Sequence, residues 1–344
     1  MSMLRMLIKF PLDVVKLVVG GIQYAVSGRN FGFAYQGMIS LFCITKGYSS
    51  DFLSYLISLV KTPYELPDAN GVLGNFSSED IRGINNELNN KGYYVFARRL
   101  PDELCDALLE YAQNATCRIT VNPDGTRAKP ERLAKYNREN PEGLLYFPDV
   151  EGALNNKAVQ GLLADKSMIA VAQAYLNCQP VMEYPSYWWS TAASKEASLE
   201  AAQYYHFDMD RIKWLKFFVY LTDVGEENGP HTFIAGSHRS GAIPSKLLSK
   251  GYARLTDEVV EECYSPEEVI RFVAPRGTVI AEDTRGLHKG THVQNGDRLM
   301  LQFQFSNSHF GGVFPPAHIK SIQYPSLGKM IKEYPKLYAM FQQQ

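Results

Sequence analysis

Tyr205-His206-Phe207-Asp208 is the stretch around which the chain is organised. In an extended strand, side chains two positions apart point to the same face. His206 and Asp208 therefore present an imidazole and a carboxylate side by side. That pair is two-thirds of a 2-His-1-carboxylate facial triad, the set that holds Fe(II) and leaves positions open for other ligands. A lone H-x-D arises often by chance, so its weight comes from the chain around it.

From Pro180 onward, runs rich in Val, Tyr, Trp, Phe and Ile alternate with short turn clusters. The spacing predicts strands at about 181–190, 203–209, 213–222, 230–235, 269–274, 277–281 and 298–307. Many short strands with turn signals between them point to a sandwich or barrel, and a double-sheet jelly roll closes such a set. Upstream, Ser77-Ser78-Glu79-Asp80 has N-cap chemistry for a helix that stops at Asn89-Asn90-Lys91-Gly92. Tyr93–Phe96 reads as a strand, and Pro101-Asp102-Glu103 opens a further helix. Residues 114–150 read mostly as loop, followed by helices at about 151–163 and 165–177. The fold class expected is therefore mainly β with flanking helices, α+β, around a jelly-roll core.

A third metal ligand must come from a distant strand. His288 follows the strand ending at Ala281 and a glycine-containing turn, 82 residues beyond His206. Ten residues further, Arg298 opens another strand. A planar guanidinium binds a carboxylate through two parallel hydrogen bonds and keeps its charge at any ordinary pH. Asp210, on the same face as Asp208, is a reserve ligand, and His292 is the rival distal histidine. His231 and His238 read as part of a turn and strand start rather than as ligands. Lys213 and Lys216 alternate with aromatics and are expected on a solvated face. Among the aromatics at 184–189, 204 and 205, alternation turns half toward the expected iron.

In this order the features resemble the phytanoyl-CoA dioxygenase family of Fe(II)- and 2-oxoglutarate-dependent oxygenases. The H-x-D stands at His206 and Asp208. Then comes Asn228-Gly229-Pro230 leading to Gly236-Ser237-His238, and then His288 with Arg298. The resemblance spans roughly 90–310. It implies a double-stranded β-helix, with His206, Asp208 and His288 as iron ligands and Arg298 as anchor for the distal carboxylate of 2-oxoglutarate. It implies O2 as co-substrate, release of succinate and CO2, and usually hydroxylation of a substrate C–H bond. Desaturation, epoxidation and cyclisation use the same cofactors, and a non-catalytic jelly-roll binding protein is the reading of another class. Ala235 replaces the family's usual proline before Gly-Ser-His. Met300 stands where many relatives carry a serine or threonine, so a second co-substrate contact is sought at Thr291 or Gln302. A carboxylate at Asp208 argues against halogenation. Residues 114–150 and 190–203 are the expected substrate-facing loops, and the expected substrate is a small or lipid-like molecule.

The chain has 344 residues with a formal net charge of -1, which gives no bulk attraction to nucleic acid. Five scattered cysteines without CxxC spacing fit neither a disulfide framework nor a zinc cluster and suggest a cytoplasmic protein. Residues 1–75 are expected to be a helical N-terminal segment, with helices at about 33–45 and 50–61, and 76–344 the catalytic domain. The first thirty residues read as an amphipathic helix with a basic polar stripe, with Pro11 as a point at which a helix can restart. Its charges argue against a membrane span, and it lacks the cleavage site of a secretory signal. The expectation is a helix half buried on its own domain; the alternative is a peripheral membrane contact through residues 1–30.

Overall fold

A computed structural model describes residues 3–343. A large antiparallel sheet runs in the order 93–95, 279–282, 214–220, 297–306, 186–191, 145–148, 116–121 and 133–135, with 181–182 pairing the end of 297–306. A second, three-stranded antiparallel sheet runs 269–271, 231–234, 288–290. The two face each other as a double-stranded β-helix with flanking helices, as the strand spacing predicts.

Period-two alternation explains both faces of the central strand Asp297–Ser306. Leu299, Leu301, Phe303 and Phe305 enter a core shared with helix residues Leu108, Leu162 and Ile169. Each such fully buried side chain contributes about 1.5–3 kcal/mol of hydrophobic stabilisation. Arg298, Met300 and Gln302 point the opposite way, into a cavity between the sheets. Neighbouring strands obey the same rule. Tyr187 and Trp189 join the core, whereas Ser186, Trp188 and Ser190 line the cavity.

Several strand and burial expectations need correction. Residues 114–150 contain three sheet strands, Thr116–Val121, Leu133–Lys135 and Leu145–Pro148, because the polar, turn-rich sequence hides short segments that gain their pairing from the sheet. Residues 203–209 form single bridges rather than a strand. His206 and His288 exchange both backbone hydrogen bonds, at 2.9 and 2.8 Å, but Tyr205 O accepts from Leu255 N and Asp208 N donates to Thr284 O. The segment thus changes partners residue by residue while keeping its alternation. Lys216 is buried rather than solvated, for reasons given by its carboxylate partners below.

Three helices open the described chain: α1 (Met3–Ser27), α2 (Gly32–Thr45) and α3 (Tyr48–Val60). α1 runs unbroken through Pro11, which is exposed, so water can serve the backbone group that proline's missing N–H leaves unpaired. α2 buries Ala34, Met38 and Phe42 in one apolar cluster with Tyr205, Phe207 and Met209, so it packs behind the H-x-D segment. α1 departs from the expected half-burial. Asp13 and Gly20 are buried toward α2, Leu17 and Tyr24 pack beside them, and Leu12, Val15, Val18, Val19, Ile22 and Val26 face outward. Lys9–Ser27 is also long and apolar enough to cross a membrane by length and composition, contrary to the expectation from its charges.

Candidate metal and co-substrate site

His206, Asp208 and His288 come together from two segments distant in sequence. One ligand atom from each lies within 4.8 Å of the others. His206 Nε2 is 3.8 Å from Asp208 Oδ1, and His288 Nε2 is 3.5 Å from Asp208 Oδ2. The Nδ1 of each histidine lies 3.0 Å from a backbone carbonyl, that of Tyr204 for His206 and of Gly286 for His288. A carbonyl only accepts, so Nδ1–H donates in both, which leaves each Nε2 lone pair facing the carboxylate. Burial pushes both imidazoles below their ordinary value, which keeps them neutral and able to ligate.

Asp208 is held ionised. Burial alone would raise its carboxyl, but the Lys216 ammonium, by its charge and its hydrogen bond, holds it well below the usual carboxylate range. Lys216 Nζ donates to Asp208 Oδ2 at 2.7 Å and lies 3.3 Å from Asp210 Oδ2. Asp210 is therefore a partner of Lys216 and not a member of the three-residue group. The signal for Lys216 was available: it alternates with Trp214 and Phe218 on one strand face, and two aromatics on that face mark it as inward. His292 and His238 lie outside the group. His238 Nε2 donates to Asn89 O at 3.2 Å, and Ser237 Oγ accepts from Leu287 N at 2.8 Å, so the Gly-Ser-His segment shapes the turn ahead of His288.

His231 lines the cavity, and its Nε2 is 2.9 and 3.0 Å from the Glu282 oxygens. Burial pushes Glu282 up to about 8 and His231 down to about 3, so near neutrality the Glu282 carboxyl keeps its proton and donates to the imidazole. Sequence reasoning missed this pair, since nothing local to Glu282 announces a partner 51 residues away.

Arg298 is 3% exposed. Its Nη2 donates to Ser190 Oγ at 3.2 Å, and its Nε and Nη1 have no partner among the described residues. A buried guanidinium without a counter-ion is unfavourable by several kcal/mol, and a carboxylate matches its fork. Arg298, Gln302 and the three clustered residues line one cavity of about 230 Å³, walled by Phe147, Trp188, Phe218 and Met300. Thr291 is not in that lining; its hydroxyl pairs with Thr232 Oγ1 at 2.8 Å. Two neutral imidazoles and a carboxylate suit a divalent ion such as Fe(II), and the unpartnered cation beside them suits the far carboxylate of 2-oxoglutarate.

The family model described as phytanoyl-CoA dioxygenase (PhyH) matches residues 88–300. No curated protein matches the chain. Among solved structures, EctD from S. alaskensis with bound Fe has a TM-score of 0.45 at 17% identity, covering 72% of this chain and 83% of its own. AviO1 from Streptomyces viridochromogenes Tue57 has a TM-score of 0.41 at 16% identity, with 70% and 100% covered. The carbocyclase SnoK from nogalamycin biosynthesis has 0.42 at 14%, with 68% and 85% covered. With its family match spanning more than half its length, the chain belongs to the phytanoyl-CoA dioxygenase family of Fe(II)- and 2-oxoglutarate-dependent oxygenases.

Proposed function

We propose that the protein hydroxylates a C–H bond of a small or lipid-like organic molecule, with release of succinate and CO2. His206, Asp208 and His288 hold Fe(II), and Arg298 takes the distal carboxylate of 2-oxoglutarate. Bound iron, with 2-oxoglutarate and O2, supplies the oxidising chemistry. The chain's own residues orient and exclude. Nδ1–H bonds to Tyr204 O and Gly286 O fix the two imidazoles, and Lys216 keeps Asp208 ionised. Ser190, which shares Arg298 Nη2, and Gln302 are the second co-substrate contacts that Met300 does not supply. Phe147, Trp188 and Phe218 keep water from the reacting centre.

The observation that carries this reading is Arg298, a buried cation with two unpartnered donor nitrogens in the cavity of the three-residue group. Leu145 and Phe147 from one expected substrate segment, and Ala201 and Ala202 from the other, line the same cavity, which favours those segments as determinants of specificity. We take residues 76–344 as the catalytic unit of a cytoplasmic enzyme held at the edge of a membrane by its first helices. Anaerobic titration with Fe(II) and 2-oxoglutarate, followed by visible absorption, tests the site. A weak charge-transfer band that vanishes in His288→Ala is expected; its absence from folded, iron-loaded protein would overturn the assignment.

A further inference from the structure

The first 61 residues carry six basic and two acidic side chains, in a chain whose net charge is -1. Both acids are paired: Asp13 accepts from Lys16 at 2.9 Å, and Asp51 from Arg285 at 2.9 Å. The segment is net basic, and Lys9 and Lys46 stand exposed at its surface. α1 meets α2 through small residues; a Cβ on Gly20 would stand 2.1 Å from Ala34 Cβ, so the two backbones lie close. On the outer side, Leu12, Val15, Val19, Ile22 and Val26 recur at three- and four-residue steps and are 42–84% exposed. The helix is docked by a mixed face of Asp13, Leu17, Gly20 and Tyr24, and it carries a second, continuous apolar stripe outward. Beside it, Ile39 and Ile44 of α2 and Leu248 and Tyr252 line a groove of about 530 Å³. Lys9, Lys46 and Lys250 rim that groove, no acidic residue lines it, and none of the three has a carboxylate partner among the described residues.

From this juxtaposition we propose that α1 and the lysine-rimmed groove form a seat for an anionic lipid bilayer. The outward stripe enters the interface between headgroups and chains, and the groove takes an anionic headgroup with the start of its acyl chain. Charge complementarity selects this occupant: three unpaired lysines around an apolar groove repel a second copy of the same face and attract a negative leaflet. The close seam at Gly20, Ala34 and Gly37 keeps α1 lying along the domain rather than crossing the bilayer. The seat lies near the reaction chamber. Tyr252 in the groove packs its ring 5.5 Å from Phe207, between the ligands His206 and Asp208. A lipid-like substrate would thus be drawn from the surface on which the enzyme sits.

Flotation of the full, iron-loaded chain with phosphatidylcholine vesicles, with and without phosphatidylglycerol, tests the seat. Binding to the mixed vesicles is expected, weakened by salt and absent with phosphatidylcholine alone. The triple variant Val15→Gln, Val19→Gln, Ile22→Gln and the triple variant Lys9→Gln, Lys46→Gln, Lys250→Gln should each lose about tenfold or more in vesicle affinity. All six positions lie at the surface or on the groove rim, and unchanged thermal unfolding of both variants confirms that each folds. Undiminished flotation of both variants, or no flotation of the parent, overturns the proposal. So does a parent dimer in light scattering that Val15→Gln, Val19→Gln, Ile22→Gln converts to monomer without any vesicle binding. The iron–2-oxoglutarate band, read on the same samples, reports on the reaction separately, so the two readings stand or fall apart.

Discussion

Arg298 tests at one residue whether a buried charge serves stability or a ligand. A structural arginine would have a carboxylate partner; this one has a single serine hydroxyl. Arg298→Met should therefore leave the metal-free protein as stable or raise its stability by about 1–4 kcal/mol. It should weaken 2-oxoglutarate binding by about 10-fold to 150-fold, since hydrogen bonds to charged groups contribute about 1.5–3 kcal/mol. Denaturant unfolding and co-substrate titration measure the two; a destabilised variant that still binds 2-oxoglutarate tightly would make the arginine structural. Glu282 gives the pH dependence. Burial raises its carboxyl from 4.5 to about 8. Through that window the folded chain keeps a proton that the unfolded chain has released, so stability falls as pH rises. His231, His206 and His288 have lowered values and act only below their ordinary 6.5, which leaves 6.5 to 8 to Glu282. Metal-free protein should lose about 1–2 kcal/mol between those limits, at up to ~1.4 kcal/mol per pH unit, and Glu282→Gln should be flat. A parallel slope in both proteins would assign the titration elsewhere. The sequence made His206, Asp208, His288 and Arg298 legible because their chemistry and spacing are local facts. Ser190 and Glu282 were not legible, since each matters only through a partner on another strand.

At the scale of elements, the strand Trp214–Tyr220 does more than alternate. Its inward face carries Lys216 between aromatics, against Asp208 and Asp210. The sheet places it there because Lys216 pairs with Glu282 on one neighbour and Gln304 on the other, in the middle of the large sheet, where it is buried. Breaking a buried pair by removing one partner costs about 3–5 kcal/mol, because the other charge is left uncompensated. Lys216→Met should destabilise the metal-free protein by about that much. A divalent ion bound at His206, Asp208 and His288 restores a positive neighbour to Asp208, so it should stabilise the variant more than the parent. Thermal unfolding with and without Mn(II) decides this; equal metal stabilisation of both proteins would remove Lys216 from the electrostatics of the site. The strands within 114–150 were illegible for a related reason. Leu133–Lys135 and Leu145–Pro148 are three and four residues long, too short for a period to show, and their backbone pairing with neighbouring strands holds them extended.

In the whole molecule, the N-terminal helices are part of the wall behind the metal ligands. Phe42 of α2 packs its ring 5.2 Å from that of Phe207, the residue between His206 and Asp208, and both are buried with Met38 and Trp214. The 206–208 segment has few backbone bonds of its own: His206 pairs with His288, and Asp208 N donates to Thr284 O. Its position therefore depends on side-chain packing from behind, and that packing comes from residues more than 160 positions upstream. Phe42→Ala removes a buried aromatic ring, which costs about 3–5 kcal/mol where the site does not collapse. Because the void opens directly behind Phe207, the loss should extend to metal binding, with weaker Fe(II) affinity and a fainter charge-transfer band than in the parent. A control cavity at Leu327, in the core on the far face of the large sheet, should cost comparable stability without weakening the metal. Thermal unfolding and metal titration of Phe42→Ala and Leu327→Ala separate the two effects. Equal metal affinity in both would mean that the first helices merely cover the oxygenase fold. Selective loss in Phe42→Ala would mean that the surface proposed to meet the bilayer and the ligands of the iron share one packed core, through which binding at the first can reach the second.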